Sequence, residues 1–208
     1  MLEYVRSIRK YLFFIMRILN HLYDGFNLKL NGNYFCLAFN LKSNLRKKDV
    51  IFNKTKVVSS YVAQSKTYRR FFDAKKQSLK AYSIGIPERG LNLGRAYMLD
   101  KIDFSSGDVI IDCGANIGDL EIYFKEKELD VNYIAFEPSP VEFKCLKNNL
   151  ILEKSRCFDY ALFDTDCIRK FYISSNFGDS SFFTPPRFTE EKNIKSKRID
   201  SIFQDLGL

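Results

Sequence analysis

Residues 108–124, DVIIDCGANIGDLEIYF, constrain the fold of this chain more than any other stretch. Val109, Ile110 and Ile111 form a short apolar run closed by Asp112, a glycine-containing turn and a helical pattern. A buried parallel strand feeds a ligand-binding loop in that order. Tyr133, Ile134, Ala135 and Phe136 repeat the pattern and are closed by Glu137. The two acids stand 137 − 112 = 25 positions apart, with room for one helix between them. A βαβ unit with a nucleoside site at the carboxyl ends of its strands is predicted.

The turn narrows the choice of nucleoside. In G-x-G-x-x-G the middle glycine lets the backbone approach a pyrophosphate. Here the order is Gly114, Ala115, Asn116, Ile117, Gly118, with Asn116 in that middle place. Asp112 would repel a pyrophosphate but suits a ligand carrying an ammonium and a sulfonium, as S-adenosylmethionine does. Glu137 can accept from two ribose hydroxyls side by side. The alternative is purely structural, with Gly114 and Gly118 permitting a tight turn and close helix packing.

At these residues the chain resembles the FkbM-like methyltransferases. DCGANIG, AFEPSP, Lys147-Asn148-Asn149-Leu150, Tyr160-Ala161-Leu162-Phe163-Asp164 and Arg198-Ile199-Asp200-Ser201-Ile202 follow that family's pattern in order over roughly residues 90–208. The resemblance implies an α/β fold with the Rossmann-like sheet of class I methyltransferases, S-adenosylmethionine as donor, and a hydroxyl acceptor on a sugar or secondary metabolite. The candidate cofactor-binding residues are Asp112, Gly114, Ala115, Asn116, Gly118, Glu137, Ser139 and Ala161. Asp159 and Tyr97 are weaker candidates. No catalytic base is named by the pattern.

That sheet is expected to be incomplete, because residues 199–206 resemble the segment before the family's fourth core strand and the sequence stops at Leu208. The strand of residues 109–111 then lies at an edge. An unpaired apolar edge predicts self-association, and the acceptor side of the site is expected to be largely missing. An inactive cofactor-binding remnant and a basic interaction module therefore stand beside the enzyme as readings.

The glycine-containing loop of residues 87–94 marks a boundary between an α-rich basic extension, residues 1–92, and a methyltransferase-like part, residues 93–208, and charge is divided in the same sense. Residues 1–100 hold 19 Lys and Arg against 6 Asp and Glu, whereas residues 101–208 hold 14 against 19. Such an extension can meet an anionic lipid or glycan surface. The basic residues are dispersed and no zinc-finger or RNA-binding aromatic signature accompanies them, which argues against nucleic acid. Five cysteines with no C-x-x-C pair indicate neither a disulfide framework nor a metal site, and fit a reducing cytoplasm. Cys113 is expected to be a small buried strand-end residue. His21, the single histidine, gives little support to a Ser/His/Asp apparatus.

Arg17 interrupts the apolar run of residues 11–16, so no spanning helix or signal core is expected. Arg6, Lys10 and Arg17 beside Ile8, Leu12, Ile15, Leu19 and Leu22 predict an amphipathic helix, either peripheral to a membrane or packed on its own domain. Asn31-Gly32-Asn33 reads as a turn between two strands, residues 57–72 as a helix, 87–94 as a loop and 95–102 as a helix. Pro138 and Pro140 open a helix to about Leu152, residues 157–162 read as a third strand and 168–174 as a further one. Residues 176–181 and Thr184-Pro185-Pro186-Arg187 read as loops.

Overall fold

The computed structural model describes residues 2–173, 180–184 and 188–207, and the side chains within them except those of residues 2–13 and Met16. Of the sequence expectations, the faces formed by Arg6, Ile8, Lys10 and Leu12, most of the 176–181 loop and Pro185-Pro186-Arg187 lie outside the described residues. Helices α1 (Leu2–Lys29) and α2 (Gly32–Leu45) open the chain. Asn31 is the N-cap of α2, its side chain accepting from the Tyr34 N–H, so this polar triplet joins two helices instead of two strands. Three strands follow, β1 (Ile51–Lys54), β2 (Tyr61–Gln64) and β3 (Arg69–Phe72), in an antiparallel sheet ordered β1-β2-β3.

The helix expected over residues 57–72 is therefore a hairpin. Tyr61, Val62, Phe71 and Phe72 are β-branched or aromatic, and Ser65 closes the turn by accepting the Tyr68 N–H on its hydroxyl at 3.0 Å. α2 lays its apolar face on this sheet: Phe39 stacks on Phe52 with ring centroids 3.5 Å apart, and Phe35 meets Tyr61 edge-on.

Helices α3 (Lys75–Tyr82) and α4 (Ile86–Ala96) lead to a 3-10 turn, Leu99–Lys101. Residues 87–94 are thus helix, not loop, and the helix expected at 95–102 is already ending. Pro87 sits in the first turn of α4, where its missing N–H costs nothing. Gly90 and Gly94 face Ile122 and Tyr123. A Cβ on either glycine would come within 2.5 Å and 2.0 Å of those side chains, so the two positions serve close packing.

The central unit runs β4 (Asp108–Cys113), α5 (Glu121–Glu126), β5 (Val131–Phe136), α6 (Pro140–Asn149) and β6 (Arg156–Phe158). Its strands form a parallel sheet ordered β4-β5-β6, with Asp112 opposite Ala135 and Phe136 opposite Phe158. Among the described residues β4 pairs with β5 alone. The third strand expected over 157–162 is broken. β6 stops at Phe158, the backbone bends at Asp159 and Tyr160, and β7 (Ala161–Leu162) joins another sheet. The Tyr160 ring turns back onto Phe136 and Phe158, which holds the bend.

That third sheet is ordered β7-β9-β8, with β8 (Cys167–Ile173) antiparallel and β7 parallel to β9 (Glu190–Lys197). Helix α7 (Ile199–Leu206) then presses Ile202 onto Ile134 and Phe136. Among the described residues the protein is a mixed α/β structure with three three-stranded sheets.

Candidate functional site

The turn after β4 carries three residues in the left-handed region, Gly114 (φ 77°), Asn116 (φ 53°) and Gly118 (φ 83°). Glycine takes that conformation freely, and asparagine is among the few other residues that tolerate it. The turn is anchored on the next strand. Gly114 and Ala115 both donate their N–H to the Phe136 carbonyl, at 2.8 and 3.0 Å.

Glu137 ends β5 nearly buried and receives two backbone donors. Asn116 N–H reaches Oε2 and Ser139 N–H reaches Oε1, each at 2.8 Å. Burial pushes its carboxyl up to about 7, against the opposing pull of those two N–H groups. Each oxygen has accepted one N–H and keeps further acceptor capacity. Asp112 accepts from the Tyr133 hydroxyl, and burial raises its carboxyl despite that bond.

Two cavities flank the turn. The larger, about 540 Å³, takes in Asp112, Ala115, Asp119 and Tyr97, with a wall from β3, α3 and α4 that includes Asp73, Arg89 and Asn92. The smaller, about 300 Å³, takes in Glu137, Ser139 and Cys113, with Ala161, Leu162, Phe171 and Phe182 as its apolar side. Gly114, Asn116 and Glu142 line both. Seven of the eight candidates thus surround one turn. Gly118 lines neither cavity, and an added Cβ there would meet Leu146 at 2.8 Å, so its place is a packing one. Asp159 lines neither as well. Cys113 is exposed rather than buried, because β4 lies at the sheet edge, and His21 is exposed on α1.

The turn is also held from below, by Arg70, Tyr82 and Arg89, which lie outside every motif, together with Asp119 and Asn149, which lie within the quoted segments. Arg70, fully buried on β3, donates to the Ile117 carbonyl at 2.9 Å and to the Asn149 carbonyl at 2.5 Å, and faces Asp119 at 3.3 Å. Asp119 also accepts from the Tyr82 hydroxyl at 2.7 Å and from Arg89 Nε at 3.2 Å. Asn149 bridges the backbone of Phe71 and donates to Ile117 O at 2.9 Å. The Arg pair before Phe71-Phe72 and the Asn pair at 148–149 were the available signals, and neither separates such a brace from an exposed polar residue. Among the described residues no group of three or more His, Cys, Asp or Glu is placed to hold a metal ion.

Comparison with known proteins gives a partial relationship. A 57-residue stretch is 37% identical to the 31-O-demethyl-FK506 methyltransferase FkbM of Streptomyces tacrolimicus, covering 27% of this chain and 22% of that protein. A 53-residue stretch is 42% identical to the methyltransferase sdnD of Sordaria araneosa, covering 26% of this chain and 20% of that one. The chain is related to methyltransferases through these stretches. They span about a fifth of either relative's length. No family model matches the chain, and no solved structure does.

Proposed function

We propose that the chain binds S-adenosylmethionine across the two cavities and serves methyl transfer to a hydroxyl of a sugar or secondary metabolite, on a Rossmann-like sheet of which β4, β5 and β6 are part. The observation that carries this reading is the placement of Glu137. Its carboxylate is fixed at the strand end by two backbone N–H groups, with acceptor capacity left over, and it borders a cavity whose other side is apolar. A vicinal diol attached to a flat aromatic base matches that pair of features.

Glu137 would take the ribose hydroxyls, Ala161, Leu162 and Phe182 the adenine, and Asp112, in the adjoining cavity, the ammonium. A Cβ added to Gly114 would point into open space beside the turn, so the glycine leaves room for close approach of a ligand. The bound donor supplies the electrophilic methyl group. The chain's own contribution is binding, orientation and exclusion of water. Asp119 is engaged by Arg70, Arg89 and Tyr82, which suits a bracing carboxylate rather than a base. The name of the Streptomyces relative supports an oxygen acceptor.

Titration calorimetry with S-adenosylmethionine and its demethylated product tests the reading. Wild type should bind, and Glu137→Gln and Asp112→Asn should each weaken binding by about 10- to 100-fold, the scale of lost hydrogen bonds to a charged group. Equal heats from all three proteins would overturn it.

A further inference from the structure

Away from both cavities, the outer face of the α1–α2 pair has no assigned role. Three contacts fix how these helices lie. The Tyr23 hydroxyl donates to the Ala38 carbonyl at 2.6 Å, Lys42 pairs with Asp24 at 2.5 Å, and Arg46 donates to Asn20 at 2.5 Å. From Asp24–Lys42 to Asn20–Arg46 the number in α2 rises as that in α1 falls, and only two residues separate the end of α1 at Lys29 from the start of α2 at Gly32, so the helices run antiparallel. α2 sends Phe35, Cys36, Phe39 and Ser43 into the core.

At about 100° per residue, Leu37, Leu41 and Leu45 fall on the face of α2 opposite that core. They are 65%, 59% and 78% exposed. On α1 the same spacing gathers Ile15, Leu19, Leu22 and Phe26 in one arc, turned away from the Asn20, Tyr23 and Asp24 seam. All four are exposed, Leu22 and Phe26 at 63% each. For two antiparallel right-handed helices touching along that seam, both arcs turn to the same side, away from the core under α2. The result is a two-helix platform with a continuous apolar surface, larger than the single apolar residues scattered on ordinary protein surfaces.

Charge selects its partner. Residues 2–48 hold nine Lys and Arg against two Asp and Glu. A second copy would bring like charge against like charge, whereas an anionic lipid surface complements the basic residues and accepts the apolar arcs. Among the described residues no helix is long and apolar enough to cross a membrane, so the fitting geometry is one that lies in the headgroup plane. We propose that the α1–α2 platform docks this protein on an anionic lipid surface. The inference is independent of methyl transfer.

Co-sedimentation of the full chain with vesicles of phosphatidylcholine and phosphatidylserine, in a ratio of about three to one, tests it. Wild type should partition at least about tenfold more strongly onto these than onto phosphatidylcholine alone, and less as salt is raised. Leu22→Glu and Leu41→Glu, both at exposed positions, should each lower partitioning by about tenfold or more with the thermal midpoint unchanged. Lys47→Glu/Lys48→Glu, which leaves the apolar face intact, should abolish the preference for anionic vesicles. Equal binding to both vesicle types overturns the proposal. So does a concentration-dependent dimer, lost in Leu41→Glu, with no vesicle binding, since that gives the face to a second copy.

Discussion

Glu137 shows how burial and hydrogen bonding pull on one side chain. Its carboxyl is lifted from 4.5 to about 7 by burial, although two N–H groups favour the charged form. Between those two values the folded chain holds a proton that the unfolded chain has released. The contribution of Glu137 to stability is therefore fully present below the unfolded value and declines as pH rises through the window. Ligand hydroxyls that donate to the carboxylate favour its charged form, so donor affinity should rise across the same window. Glu137→Gln should remove both slopes. Thermal midpoints and calorimetric affinities measured from about pH 5 to pH 8 check this, and a variant that keeps the wild-type slope in both would show that another group is responsible. Glu137 and Asp112 were legible in the sequence because each closes an apolar run. Arg70 was not, since its neighbours in the chain say nothing of the carbonyls of Ile117 and Asn149, 47 and 79 positions away, to which it donates.

At the level of elements, the sequence was most readable where strand, turn and helix recur with one period, and least where two periods compete. β4, β5 and α6 stand where apolar runs and Pro140 put them. In contrast β9 has one large apolar residue, Ile194, in a charged stretch, and its burial alternates between Ile194 and Ser196 because the Ser196 hydroxyl donates inward to the Thr165 carbonyl at 2.8 Å. A polar residue satisfied in this way hides a strand from hydropathy. α4 misleads in the other direction. Gly90 and Gly94 read as loop residues, yet their spacing of four places both on the side that meets α5. Gly94→Ala should then destabilise the protein by about 1 to 3 kcal/mol, the usual cost of forcing volume into a packed contact, despite the better helix propensity of alanine. Denaturant unfolding of the variant decides the matter, and a stabilised protein would mean that Tyr123 moves aside at no cost.

At the scale of the whole molecule, the two charge-defined parts share their interior. Ile122 of α5 belongs to the apolar cluster of Phe35, Phe52 and Tyr82, and Arg70 and Asn149 tie β3 to the turn after β4. The basic part also walls the larger cavity, through Asp73, Arg89 and Asn92. The outer edge of β4 is left without such cover: among the described residues it pairs only with β5, and Val109 is 41% exposed there. A row of free backbone N–H and C=O groups beside an apolar side chain is a template for another strand. Net charge of +8 opposes close approach of two copies at low salt, so pairing through this edge should strengthen as salt screens that repulsion. This is opposite to the salt dependence expected for the lipid platform. Sedimentation velocity over a range of protein and salt concentrations should show self-association that grows with both, and Val109→Lys, which puts a charge on the edge, should weaken it several-fold. A protein that stays monomeric at high salt, or a variant that associates as wild type does, would show that β4 is not the edge through which copies meet.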